Sequence, residues 1–285
     1  MKWIGRRESS NVDDRRGLSG GAVAGGTGIA GVVIYLLYTF LSGGSVDPSE
    51  IVRQVQPGTT QTLTKEQEAA DEQRAKFVKV VLAETEDVWN KLFTENGSQY
   101  QEPTLTLFRG AVESACGSAS SASGPFYCPG DSRLYIDLSF HEDMQNKLYA
   151  PGDFAMAYVV AHEVGHHIQN LMGTSEKVQR LRRQLSEEEY NKYSVKLELQ
   201  ADFYAGVWAH YAQNMKNIIE PGDIDEAMNA ANAIGDDRLQ KQATGQVIPD
   251  GFTHGTSAQR MYWFKKGFET GDLKQGDTFN DASLN

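Results

Sequence analysis

Only two cysteines, Cys116 and Cys128, occur in 285 residues, and no C-x-x-C spacing is present. A metal site built on cysteine therefore ranks well below a disulfide closing the short loop between them. Such a bridge would stabilise by about 3 kcal/mol on the loop-entropy model. Basic residues are also in deficit: 27 Lys and Arg stand against 38 Asp and Glu, a formal net charge of -11. An acidic body lacks the basic face that phosphate binding needs, which argues against nucleic acid as a partner. No internal repeat is visible, and only one long stretch is free of charge.

That stretch runs from Gly17 to Val46, and its apolar part, Gly20 to Leu41, is long enough to cross a bilayer as a helix. Lys2, Arg6, Arg7, Arg15 and Arg16 precede it, against Glu8, Asp13 and Asp14. The pattern reads as an uncleaved signal anchor: residues 1–19 cytoplasmic, 20–41 transmembrane and the body outside. A cleavable signal peptide is the rival reading, but the segment starts late and no clear Ala-x-Ala site follows it. Gly21 and Gly25 could pack two such spans into a homodimer. Residues 42–63, with Gly43-Gly44, Pro48 and Pro57-Gly58, form a linker. An exported body also suits a Cys116–Cys128 disulfide.

From residue 64 the chain reads as one domain, 64–285. Thr64 with Gln67 is a capping box that opens a long helix to about Phe93, and Ser186 with Glu189 opens another to about Asn214. Thr104 to Phe108 and Arg133 to Leu138 read as short strands. Gly222-Asp223-Ile224-Asp225 starts a helix through about Ile234, Ser257 to Phe268 reads as helical, and the polar tail from Gly271 reads as loose.

The organising stretch is Ala161-His162-Glu163-Val164-Gly165-His166-His167, an H-E-x-x-H motif in a helix of about residues 152–172 that ends at Gly173. Residues i and i+4 share a helix face, so His162 and His166 can present two imidazoles to one zinc ion. Glu163 lies about 100° around the helix, placed to act as general base on a water held by the metal. A third ligand is still needed. The metzincin extension would require Gly at Gln169 and His at Met172, so it is excluded.

Glu198 and Asp202 lie at i and i+4 in an otherwise apolar helical segment, where a buried carboxylate needs a partner. Glu198 is the expected third ligand and Asp202 the acceptor for a ligand imidazole, with the swapped assignment left open. His167 should face away from the metal, His210 lies too far along its helix, and His141 reads as a loop residue. His254, in Phe252-Thr253-His254-Gly255, could fold over the site and stabilise an oxyanion, or could be structural. Tyr204 and Tyr262 are weaker candidates for that role.

The chain resembles the bacterial neutral zinc metallopeptidase family. The resemblance rests on Gly5 to Val12, Gly124-Pro125-Phe126-Tyr127-Cys128-Pro129, the H-E-x-x-H helix, Glu198 to Asp202, and His254 to Arg260. The E-x-x-x-D spacing is similar to that of gluzincin membrane proteases, which implies Glu198 as ligand and a zincin-like fold. The expected fold is α+β: a mainly helical body with a small antiparallel sheet, preceded by one transmembrane helix, in the bacterial inner membrane. The expected activity is zinc-assisted hydrolysis of protein or peptide substrates, which could add to the sheet near Arg133 to Leu138. The alternatives are a membrane-anchored scaffold with a structural or vestigial zinc, and a zinc amidase acting on cell-wall peptides.

Overall fold

A computed structural model describes residues 1–17 and 64–284. The proposed span 20–41, its Gly-based dimer contact and the linker 42–63 lie outside the described residues. Among those that are described, no helix is long and apolar enough to cross a membrane.

The fold is α+β, with eight α-helices among the described residues: α1 (Lys65–Glu95), α2 (Phe140–Asn146), α3 (Asp153–Leu171), α4 (Thr174–Leu181), α5 (Glu187–Lys216), α6 (Asp223–Ala233), α7 (Asp236–Thr244) and α8 (Ser257–Thr270). The capping boxes at Thr64 and Ser186 form as their spacing predicts. Phe77, Val81, Val88 and Leu92 of α1 are buried in the core, as their helical stripe requires.

Six strands complete the chain: β1 (Val12–Asp14), β2 (Thr104–Phe108), β3 (Ala111–Ser114), β4 (Gly117–Ser120), β5 (Phe126–Cys128) and β6 (Arg133–Asp137). The main sheet has the order β1-β2-β6-β5. The expectation of a small antiparallel sheet is corrected here, because β1–β2 and β2–β6 are parallel and only β5–β6 is antiparallel. The last four residues of β2 and of β6 are all buried, so both faces of these central strands are covered. That burial is the usual setting of parallel pairing, and it replaces the in-out alternation of a half-exposed sheet. β3 and β4 form a separate hairpin. Cys116 and Cys128 are joined in a disulfide, which ties the turn of this hairpin to β5.

Residues 1–17 pack on the body. Val12 to Asp14 pair with Leu105 to Leu107. Arg6 Nε donates to Glu84 at 2.7 Å, and Arg7 Nη1 to Glu86 at 2.9 Å. The α-ammonium of Met1 sits 2.9 Å from Asp153 and 3.2 Å from Asp223. The basic residues of the segment serve these contacts.

The tail is also more ordered than its polarity suggests. Thr278 is fully buried and donates to the Lys196 carbonyl at 2.6 Å, and Gln200 donates to the Gly276 carbonyl at 2.9 Å. These bonds hold the tail on α5.

Two glycine contacts bring the helices close. A Cβ on Gly206 of α5 would lie 2.0 Å from the Phe264 carbonyl of α8, and one on Gly267 would lie 2.1 Å from the Phe203 carbonyl. Where α3 crosses α5, a Cβ on Gly165 would lie 2.8 Å from the Ala201 carbonyl. Gly165 thus lets the helix that carries both histidines of the motif approach the helix that carries Glu198.

Candidate metal centre

The H-E-x-x-H helix buries most of its surface, and its histidine pair faces α5. His162 Nε2 lies 3.2 Å from Glu198 Oε2, and His166 Nε2 lies 3.4 Å from Glu198 Oε1. Zinc bonds of about 2.0–2.2 Å in a tetrahedron place neighbouring donors roughly 3.3 Å apart. Two imidazole nitrogens and a carboxylate at these separations fit a zinc ion. All three residues offer ligand atoms within 4.8 Å of one another.

Each imidazole is oriented through its other nitrogen. His162 Nδ1 lies 2.7 Å from Asp202 Oδ1, and His166 Nδ1 lies 2.9 Å from Gln169 Oε1. Gln169 in turn donates to the Leu197 carbonyl at 2.6 Å, which leaves its oxygen as the acceptor. With both Nδ1 atoms donating, both Nε2 lone pairs point at the metal position. Of the two arrangements of the E-x-x-x-D pair, the geometry brings Glu198 to the Nε2 atoms and Asp202 to the outer nitrogen of His162.

Asp202 is fully buried and also accepts from the Tyr158 hydroxyl. Arg260 closes the network, with Nε 2.8 Å and Nη2 3.0 Å from the Asp202 oxygens. Burial would raise the pKa of Asp202, but Arg260 and His162 hold it down at about 2. Burial likewise opposes a charged His162, yet Asp202 and Glu198 push its pKa up to about 10. His166 is raised too, with Glu198 overcoming burial, and Glu198 is held well below its ordinary value against burial by His166, His254 and His162. Glu198, joined by Asp202 at His162, thus places negative charge beside both imidazoles.

Glu163 is buried, and burial raises its pKa against the lowering effect of His166 and His162. It lines a cavity of about 540 Å³ together with His162, His166, Glu198 and His254. His254 is held by Asp236: its Nδ1 lies 3.2 Å from Asp236 Oδ1, while Asp236 Oδ2 accepts from the amides of Thr253, His254 and Gly255. The His254 pKa is raised because Glu198 and Asp236 outweigh burial.

The other histidines and tyrosines stay outside the centre. His167 Nε2 lies 2.6 Å from the Gln101 carbonyl, and its Nδ1 lies 3.0 Å from the Tyr127 hydroxyl, so it ties α3 to strand β5. His210 Nδ1 bonds the Phe268 carbonyl at 2.8 Å, and His141 pairs with Gln145 at 3.0 Å. Tyr204 packs edge-on against Trp89 in the core, and Tyr262 is exposed away from the cavity.

Tyr158, Gln169, Asp236 and Arg260 were not singled out from the sequence. Tyr158 and Gln169 had a local signal, at four residues before His162 and three after His166 on the same helix. Asp236 and Arg260 had none, since each meets its partner across a long stretch of chain.

The model of the family described as "Putative neutral zinc metallopeptidase" matches residues 1–279. The chain belongs to this family. The family implies zinc as cofactor, which agrees with the donor set above. The chain is 49% identical to "Uncharacterized protein YpfJ" of Escherichia coli (strain K12), over 99% of this chain and 100% of that protein. It is 45% identical to an uncharacterized protein of Mycobacterium tuberculosis (strain ATCC 25618 / H37Rv), over 65% of each chain. No solved structure matches the chain. Both the strap at residues 1–17 and the metal centre fall within the matched residues of the family.

Proposed function

We propose that this protein is a zinc metallopeptidase that hydrolyses peptide bonds, with His162, His166 and Glu198 holding the metal and Glu163 as general base. The observation that carries the proposal is the convergence of three zinc-competent donors in one cavity with a buried carboxylate that belongs to none of them. A purely structural zinc site has no use for that fourth group. When bound there, zinc supplies a Lewis acid that acidifies a water and polarises the scissile carbonyl. Glu163 takes the proton from the attacking water and delivers it to the leaving amine. His254, held by Asp236 at the cavity wall, donates to the carbonyl oxygen as negative charge develops on it. Asp202, clamped by Arg260 and Tyr158, keeps His162 in register.

The sheet edge that would receive an extended substrate is β5. Strand β6, which spans most of Arg133 to Leu138, is flanked on both sides, by β2 and β5. β5 pairs only with β6 among the described residues, and Gly124 to Tyr127 line the cavity. A substrate strand on that edge would cross the metal centre, and the His167–Tyr127 contact sets the distance between the edge and α3.

The test compares the full chain with Glu163→Gln for bound zinc and for cleavage of a mixed peptide library. Zinc in both and cleavage by the wild type alone supports the reading. Zinc in both with cleavage by neither, while muropeptides are cut, turns it to a cell-wall amidase.

A further inference from the structure

The N-terminal strap constrains how this chain can meet a membrane, independently of the reaction. Asn11 accepts from the Leu105 amide at 2.9 Å, and Arg15 donates to the Leu107 carbonyl at 2.8 Å, so β1 is bonded into the sheet at both ends. Trp3 packs edge-on against Phe77 of α1 with ring centroids 5.4 Å apart. The Glu86 carboxylate, 1% exposed, receives its hydrogen bonds from Arg7, Ser9 and Asn11, all in the strap. Arg16 Nη1 reaches Asp71 at 2.6 Å, close to where the body begins. Removing the strap would uncover the edge of β2 and take from the buried Glu86 carboxylate its bonds to Arg7, Ser9 and Asn11. A buried carboxylate left without partners is strongly destabilising.

We infer that residues 1–17 and the body from Thr64 onward lie in one compartment, on the same side of any membrane the protein meets. An odd number of crossings would separate β1 from β2. The basic residues that suggest a cytoplasmic N-terminus are committed: Arg6, Arg7 and Arg16 bond carboxylates of α1, and Arg15 bonds Asp13 within the strap. Their charge is taken up by these contacts.

The test uses the full chain with one added cysteine at a time, Ile4→Cys in the strap and Tyr149→Cys in the body. These positions are 85% and 72% exposed, and the native cysteines are bridged. Intact spheroplasts are treated with a membrane-impermeant maleimide, with lysed cells as the control in which both sites react. The same pattern at both positions, both labelled or both protected, is the expected result. Labelling of one and protection of the other overturns the inference.

Discussion

Asp202 Oδ1 lies 2.7 Å from His162 Nδ1, while both Asp202 oxygens are held by Arg260. This one buried carboxylate fixes the tautomer of a metal ligand from the side away from the metal. Replacing such an outer partner typically costs 10–100-fold in metal affinity. Asp202→Asn is therefore expected to weaken zinc binding by about that factor. Competition with a zinc-sensitive chelator measures it, and an unchanged affinity would leave Asp202 a packing residue only.

Gly165 stands where α3 meets α5. A methyl group there would sit 2.8 Å from the Ala201 carbonyl and 3.0 Å from its Cα, both backbone atoms that cannot swing aside. Gly165→Ala should push the helices apart at a cost of about 1–3 kcal/mol. Because Glu198 lies on the displaced helix, zinc affinity should fall together with Tm. A lower Tm with unaltered zinc binding would show that the helix spacing does not set the ligand geometry.

His254→Ala separates catalysis from structure. Asp236 holds this loop mainly through the amides of Thr253, His254 and Gly255, which alanine retains. The loop should stay in place, and kcat should fall by about 10²-fold or more, as for loss of an oxyanion donor. Zinc content should not change. Wild-type kcat in the variant would make His254 a wall residue.

The strap should survive acid until its carboxylates protonate. Arg15 holds Asp13 below its ordinary value against burial, helped by Arg133, and Arg16 does the same for Asp14. A carboxylate whose pKa is depressed on folding contributes stability above its unfolded pKa of about 3.9 and loses it as pH falls through the lower folded value. Exchange protection of the Leu105 and Arg15 amides should therefore persist at pH 4 and disappear only at lower pH. Loss of protection already near pH 6 would mean that other groups hold the strap.

Features that depend on neighbours within a few residues were legible in the sequence. The i and i+4 spacing of His162 and His166, the capping boxes at Thr64 and Ser186, the apolar stripe of α1 and the pairing of Glu198 with Asp202 follow from helix geometry, which repeats every few residues. Pairings between distant stretches left no such trace. Arg260 meets Asp202 across 58 positions, and β1 meets β2 across the whole of α1. Read alone, an arginine in an amphipathic helix and a run of Asn-Val-Asp-Asp before an apolar stretch look like solvent-facing charge and a membrane flank. The parallel sheet, the Asp236 clamp on His254 and the return of the N-terminus to the body were decided only in the tertiary structure. Each satisfies a buried polar group whose partner the chain supplies from far away, and a local pattern carries no record of that partner.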